Sequence, residues 1–199
     1  FVGGADATAE VHEALIARTR PLSDGDFGMG VVIAKSATLH LTRSCARENH
    51  GTGLWIDGEG TQADVSETLF TRMKPLAAEG YGGRGVDVSE AATLRVERSS
   101  SVANHEAAIF YRNSSGTVSD CMLAHTETSA LNPLGIADGL LVSGGVVDTH
   151  GIVARGNARA GILYDKSQGD ISSCLIIDNA IGLADQGLPG VSVVDDNIV

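Results

Sequence analysis

Clustered basic residues are missing from this sequence. Lys and Arg number 14 against 25 Asp and Glu, a formal net charge of -11, and no stretch gathers the positive side chains together. A phosphate backbone is bound by neutralising it with Lys and Arg, so nucleic acid is excluded as a partner, and an anionic membrane surface is disfavoured for the same reason. Long apolar runs are missing as well. None approaches the roughly 18 residues of a spanning helix, which argues against membrane insertion. Three cysteines, Cys45, Cys121 and Cys174, cannot all pair within one chain and match no zinc-binding spacing, so they read as buried free thiols. Aromatic residues make up 4% of the chain and prolines number four.

What is abundant is glycine, 25 residues in a chain of 199, together with many Val, Ile, Leu, Ser and Thr. Without a collagen period, that mixture predicts short strands joined by tight turns, hence an all-β domain. The stretches NHGTGLWI at Asn49 and NHEAAIFY at Asn104 share one pattern, which prompts a search for a repeat. The segments GVVIAKS, GLWIDGE, GVDVSEA, AIFYRNS, GLLVSGG, GILYDKS and GLADQGL align at Gly30, Gly53, Gly85, Ala108, Gly139, Gly161 and Gly182. The intervals are 23, 32, 23, 31, 22 and 21 residues.

Each unit of 21 to 23 residues holds three short alternating strands and three turns. That is one turn of a coil, too short for a sandwich blade and too β-branched for a helical hairpin. The expected fold is a single-stranded right-handed parallel β-helix of about seven or eight rungs, one domain over residues 1–199, with rungs about 4.8 Å apart. Asn49, Asn104, Asn157 and Asn179 precede the aligned position by three or four residues and form a structural ladder at one corner, where Asn tolerates left-handed backbone and its amide can bond neighbouring rungs. Extra residues lengthen alternate rungs and carry Pro21-Leu22, Pro75-Leu76 and Pro133-Leu134, predicting a ridge of loops along one edge. Phe1 stands where a Met would begin a nascent chain and no cap is evident at either end, so a processed fragment of a longer solenoid is expected.

On these rungs the chain resembles the right-handed β-helix proteins of the pectin-lyase-like superfamily. The paired rungs with a loop such as ARTRPLSDGDFGMGVVI resemble the repetitive surface and secreted proteins of myxobacteria. The resemblance implies an extracellular or cell-surface bacterial protein with no agreed activity. In enzymes of the superfamily the substrate lies across the first strand of successive rungs. Here the outward residues of that strand are Val32, Trp55, Asp87, Phe110, Leu141, Leu163 and Ala184, mostly large and apolar where a solvated sheet would be polar. Three readings stay open: a stacking platform for sugar rings, a contact with a partner protein or a second copy, or a row covered by the Pro-Leu loops.

Leu54-Trp55-Ile56-Asp57 resembles a pectate lyase segment whose Asp helps to hold calcium, which makes Asp57 a candidate metal ligand. Asp57, Asp87 and Arg112 are the candidate catalytic residues, since lyase chemistry needs carboxylates for the cation and an Arg or Lys for the proton. Asp87 is only diagonal to Asp57, however, and Arg112 lies two rungs away. The paired aspartates and Gly-His-Gly of polygalacturonases are absent. His50 and His105 also lie two rungs apart, near 10 Å, too far to share a zinc ion. They are expected to be solvated turn residues. Asp24-Gly25-Asp26 and Asp57-Gly58-Glu59 read as turns, and Ser44, Thr68, Ser99, Cys121 and Cys174 as an internal column of small residues. Two functions follow from this reading: a noncatalytic interaction or self-association module, or a carbohydrate-binding or carbohydrate-degrading domain, with calcium the only cofactor to consider.

Overall fold

The computed structural model describes residues 1–22, 28–76, 80–130, 135–187, 190–193 and 197–198. Among these residues there is no helix. Parallel strands stack in eight rungs around a three-sided coil. The first face contains Val31–Ala34, Thr52–Asp57 and Arg84–Ser89. It continues through the opening halves of Glu106–Ser119, Ala137–His150 and Ala160–Ser172 to Ile181–Gln186. The second face begins with Thr8–His12, Thr38–Thr42, Gln62–Ser66 and Thr93–Glu97 and takes up the closing halves of the same long strands. The third is a separate seven-stranded sheet of three-residue strands running from Leu15–Ala17 to Leu175–Ile177. This is the right-handed parallel β-helix that the repeat demands. The extra residues leave alternate rungs, although Pro133-Leu134 and Asp24-Gly25-Asp26 lie outside the described residues.

Register follows the alignment of the repeat units. Val32 pairs with Trp55, Trp55 with Asp87, Asp87 with Phe110, Phe110 with Leu141, Leu141 with Leu163 and Leu163 with Ala184. Alternate residues point inward, so Leu39, Leu41, Leu54, Ile56, Leu94 and Val88 fill one continuous core. Each such aliphatic side chain contributes about 1.5–3 kcal/mol by leaving water. Side-chain size is balanced within a rung. Tyr111 and Tyr164 are fully buried where other rungs carry Ile or Val, and their hydroxyls donate to the carbonyls of Leu94 and Val147. Gly116 makes the room: a Cβ there would meet the Leu94 carbonyl at 1.8 Å and the Tyr111 ring at 3.1 Å.

Left-handed residues make the corners, many of them not glycine, singly on either side of the third face and in pairs such as Lys35-Ser36 and Glu90-Ala91 between the first and second faces. Between the second and third faces these are Glu13, Arg43, Glu67, Arg98 and Asp120, all with positive φ. Left-handed backbone costs a non-Gly residue about 1–2 kcal/mol. The cost is offset because each corner keeps its N–H on the next rung, as in Arg43 N–H to the Ser66 carbonyl at 3.1 Å. The side chains also alternate in charge, pairing Arg43 with Glu13 at 3.2 Å and Arg98 with Glu67 at 3.6 Å. Between the third and first faces, Arg18, Glu48 and Arg72 repeat the device, with Arg18 2.8 Å from Glu48.

One step beyond that corner lies the expected Asn ladder. The Asn49, Asn104 and Asn157 side chains are buried, and each accepts from a backbone N–H of the preceding rung, at Thr19, Met73 and Thr126. Their amides donate back to the carbonyls of Ile16, Phe70 and Leu123. Asn179 continues the ladder by accepting from Asn157 and donating to the Ala154 carbonyl. A second internal column stacks as expected: the Thr68 hydroxyl accepts from Ser44 N–H and the Ser99 hydroxyl from Thr68 N–H. Cys121 and Cys174 lie further along this column as free thiols, and burial pushes the Cys121 thiol up to about 11.

Candidate functional site

The seven-residue row on the first face divides in two. Phe110, Leu141 and Leu163 expose 9%, 6% and 3% of their surface and pack with Ala107, Ala160 and Ile136 into a second small core outside the coil. They are therefore largely packed rather than freely exposed, in contrast to what outward orientation suggested. Of the three readings, cover is the one this half of the row obeys. Ile136 arrives from the third lengthened rung, and the Arg84 guanidinium lies 4.7 Å from the centre of the Phe110 ring.

The other half remains open. Trp55 and Val32 are half-buried, and Trp55 lines a hollow of about 310 Å³ with Met29, Leu76, Arg84, Asp87 and Arg112. The second Pro-Leu loop builds one wall. Its Leu76 is buried, and Leu76 N–H bonds the Tyr81 carbonyl at 2.9 Å while Pro75 bridges Gly82 in antiparallel fashion. The indole is held from behind: its N–H donates to Ser89 Oγ at 3.2 Å, and the Ser89 hydroxyl donates to Asp57 Oδ1 at 2.6 Å. Asp57 thus orients the tryptophan through a fully buried serine.

Asp87 is the charged floor of the hollow. It is only 7% exposed, one rung on from Trp55. Its Oδ2 takes Arg84 Nη1 at 2.5 Å, and Arg84 is held on its other side by the buried Glu106, Nε to Oε2 at 3.0 Å. Burial opposes the charge on Arg84, but Asp87 and Glu106 more than offset it and the guanidinium pKa is raised. Among the described residues, Asp87 Oδ1 is buried and meets no hydrogen-bond partner. A buried acceptor left unmade costs about 1–3 kcal/mol, so this oxygen retains the capacity to accept one more hydrogen bond. Across the hollow, the exposed Arg112 has Glu90, 3.9 Å away, as its ion-pair partner among the described residues.

A second hollow of about 420 Å³ overlies Phe110, Leu141 and Leu163, and two of its polar rim residues are engaged within the protein. Ser143 donates to Asp165, and Arg159 forks onto the fully buried Asp138, which raises the arginine pKa.

The candidate catalytic residues do not assemble a lyase centre. Asp57 has Ala34 and Ser89 as its lateral neighbours, and Arg112 neighbours Ser89 rather than Asp57. Calcium takes 6–8 oxygen ligands, commonly including several carboxylates. Asp57 Oδ1 is engaged by Ser89, and the guanidinium on Asp87 Oδ2 would repel a cation. Among the described residues no three acidic, His or Cys side chains converge, so the donor set does not fit the ion. His50 and His105 are half-buried rather than solvated. Each lies over a glycine, Gly28 or Gly83, where a Cβ would meet the histidine Cβ at 2.8 Å, and His50 Nδ1 lies 2.9 Å from the Thr19 carbonyl.

Arg84 and Glu106 escaped sequence reasoning. A signal existed in the charged residues standing just ahead of the aligned small positions, Arg84, Glu106, Asp138 and Arg159.

Among solved structures the chain is similar to the crystal structure of pectate lyase Pel9A, with a TM-score of 0.57 and 13% identity. The likeness shows the fold alone. It covers 85% of this chain and 50% of the lyase, so the chain spans about half the length of that neighbour. No family model matches, and no curated protein matches.

Proposed function

We propose that this chain is an extracellular, noncatalytic module that binds neutral glycans in the hollow between Trp55 and Asp87. The observation that carries this reading is the buried, unpartnered Asp87 Oδ1 beside a half-exposed indole. A carboxylate only accepts, so the missing partner is a donor such as a sugar hydroxyl. The indole offers its face to the apolar face of a pyranose while its N–H is occupied by Ser89. Charge then selects the ligand class. Arg84 and Arg112 line the hollow and disfavour a cation, while Asp87 and the net charge of -11 disfavour an anion. A neutral hexopyranose satisfies both, giving one hydroxyl to Asp87 and accepting from Arg112. The volume, near the lower end of the ~300–1,000 Å³ range of small-ligand sites, suits a short stretch of chain.

The noncatalytic part of the proposal rests on Asp57 and Asp87 being engaged by Ser89 and Arg84. The resemblance to repetitive secreted proteins supports the extracellular placement.

Trp55 is the sole tryptophan, so its fluorescence reports the site directly. Titration with cello-, manno- and xylo-oligosaccharides is expected to shift its emission. Trp55→Ala should abolish binding measured by calorimetry, and Asp87→Asn should weaken it on the order of tenfold. Binding of oligogalacturonides alone would overturn the neutral assignment and keep the glycan reading. Silence across both sets would remove the glycan reading altogether.

A further inference from the structure

The exposed apolar stripe of this molecule lies on the third face, not the first. Its outward column runs Leu15, Cys45, Leu69, Ser100, Met122, Val153 and on to Leu175, fixed rung by rung by parallel pairing. Leu15, Leu69 and Met122 are 61%, 38% and 46% exposed. At three rungs the other outward column of the same strands is smaller, with Ala17 beside Leu15, Thr71 beside Leu69 and Ala124 beside Met122, whereas Arg47, Val102, Arg155 and Ile177 stand beside Cys45, Ser100, Val153 and Leu175.

The two corners that flank this face carry complementary charges. One edge reads Glu13, Arg43, Glu67 over three successive rungs, and the opposite edge reads Arg18, Glu48, Arg72 over the same rungs. A two-fold axis parallel to the coil lays one third face on another with rungs in register, each edge meeting the opposite edge of the second copy. Glu13 then meets Arg18, Arg43 meets Glu48 and Glu67 meets Arg72. At the fifth rung Asp120 meets His125, and at the other rungs no charge meets its like. The same operation sets Leu15 on Ala17 and Leu69 on Thr71, and brings Arg47 over Cys45.

We propose that a second copy of this chain docks on the third face, parallel and in register, forming an isologous dimer. The occupant is identified by that charge match, which the face makes with itself. The face is narrow: seven three-residue strands with their corners cover roughly 500 Å² in projection, below the ~800 Å² per partner of a stable interface. Association therefore belongs to the weak, concentration-dependent class. The surface is separate from the glycan hollow, so the two readings stand or fall independently.

The test is sedimentation equilibrium over a concentration series reaching roughly 300 µM, in low and high salt. The wild type should move from monomer to dimer, with the midpoint shifted upward by salt. Leu69→Glu/Met122→Glu, both on exposed positions, should remain a folded monomer by circular dichroism throughout. Glu67→Arg alone should raise the dissociation constant about tenfold by placing a second positive charge opposite Arg72 of the other copy, and adding Arg72→Glu should restore it. The exchange disturbs the internal corner pairs in both variants, so recovery of dimerisation separates the intermolecular contact from stability. A monomeric wild type across the whole series, a dimer unaffected by the Leu69→Glu/Met122→Glu change, or no recovery in the double exchange would each overturn the proposal.

Discussion

Trp55 and Phe110 occupy the same column of the same sheet two rungs apart, and they do opposite things. Both are outward aromatic residues on the first face. Around Phe110, neighbouring rungs supply Leu141 and Leu163, Ile136 comes down from a loop, and the side chains pack into a small core beneath a hollow whose Arg159 and Ser143 are engaged by Asp138 and Asp165. Around Trp55, the neighbouring rung supplies Asp87, the Pro75-Leu76 loop stands as a wall, and a hollow stays open with an unpartnered acceptor at its floor. Outward orientation alone therefore does not decide exposure on a β-helix. What decides it is whether a loop residue reaches the row and whether the row offers that residue an apolar partner. Arg84 marks the boundary, its guanidinium over Phe110 on one side and against Asp87 on the other.

The largest expected effect tests that boundary. Arg84→Ala leaves Asp87 and Glu106 buried without their cation, and urea denaturation should show a loss of about 3–5 kcal/mol. Next comes the contrast itself. Phe110→Ala should cost about 3–5 kcal/mol as a core truncation, whereas Trp55→Ala should cost clearly less while removing glycan binding; equal costs would break the comparison. Asp87→Leu should carry the apolar row one rung further. With Glu106 still holding Arg84 and the orphan oxygen gone, stability should stay within about 1 kcal/mol of wild type, while tryptophan-reported binding disappears.

The smallest effect distinguishes the halves at their corners, since only the N-terminal rungs carry the Arg18–Glu48–Arg72 ladder. The hydrogen bond from Arg18 lowers the Glu48 pKa from its ordinary 4.5, outweighing burial, with Arg72 adding to it. A depressed carboxyl stabilises the fold fully above its unfolded pKa and loses that contribution as pH falls through its folded pKa. Melting temperatures should therefore fall less steeply below pH 4.5 in Glu48→Gln than in the wild type.

Spacing alone made the coil legible. Once glycines recur at 21 to 23 residues, adjacent rungs must pair in parallel, and the alignment at Gly30, Gly53 and Gly85 fixes the register of Val32, Trp55 and Asp87. The Asn ladder was legible for the same reason, because a corner in one rung is the same corner in the next. His50 and His105 were misread as solvated because the missing Cβ of Gly28 and Gly83, which lets the rings approach, lies on another rung. The apolar stripe at Leu15, Leu69 and Met122 was passed over because a three-residue strand shows too little alternation to separate its faces.

The sequence by itself determined the parallel coil, its rung positions and the residues of the first-face and Asn columns, since these depend on a period repeated along the chain. The tertiary structure alone decided which part of the first-face row is core and which is a hollow, how Arg84 bridges Asp87 and Glu106, and where the exposed stripe lies. Those outcomes depend on loops and long side chains reaching across rungs. Such distances are set by three-dimensional packing and leave no period to read.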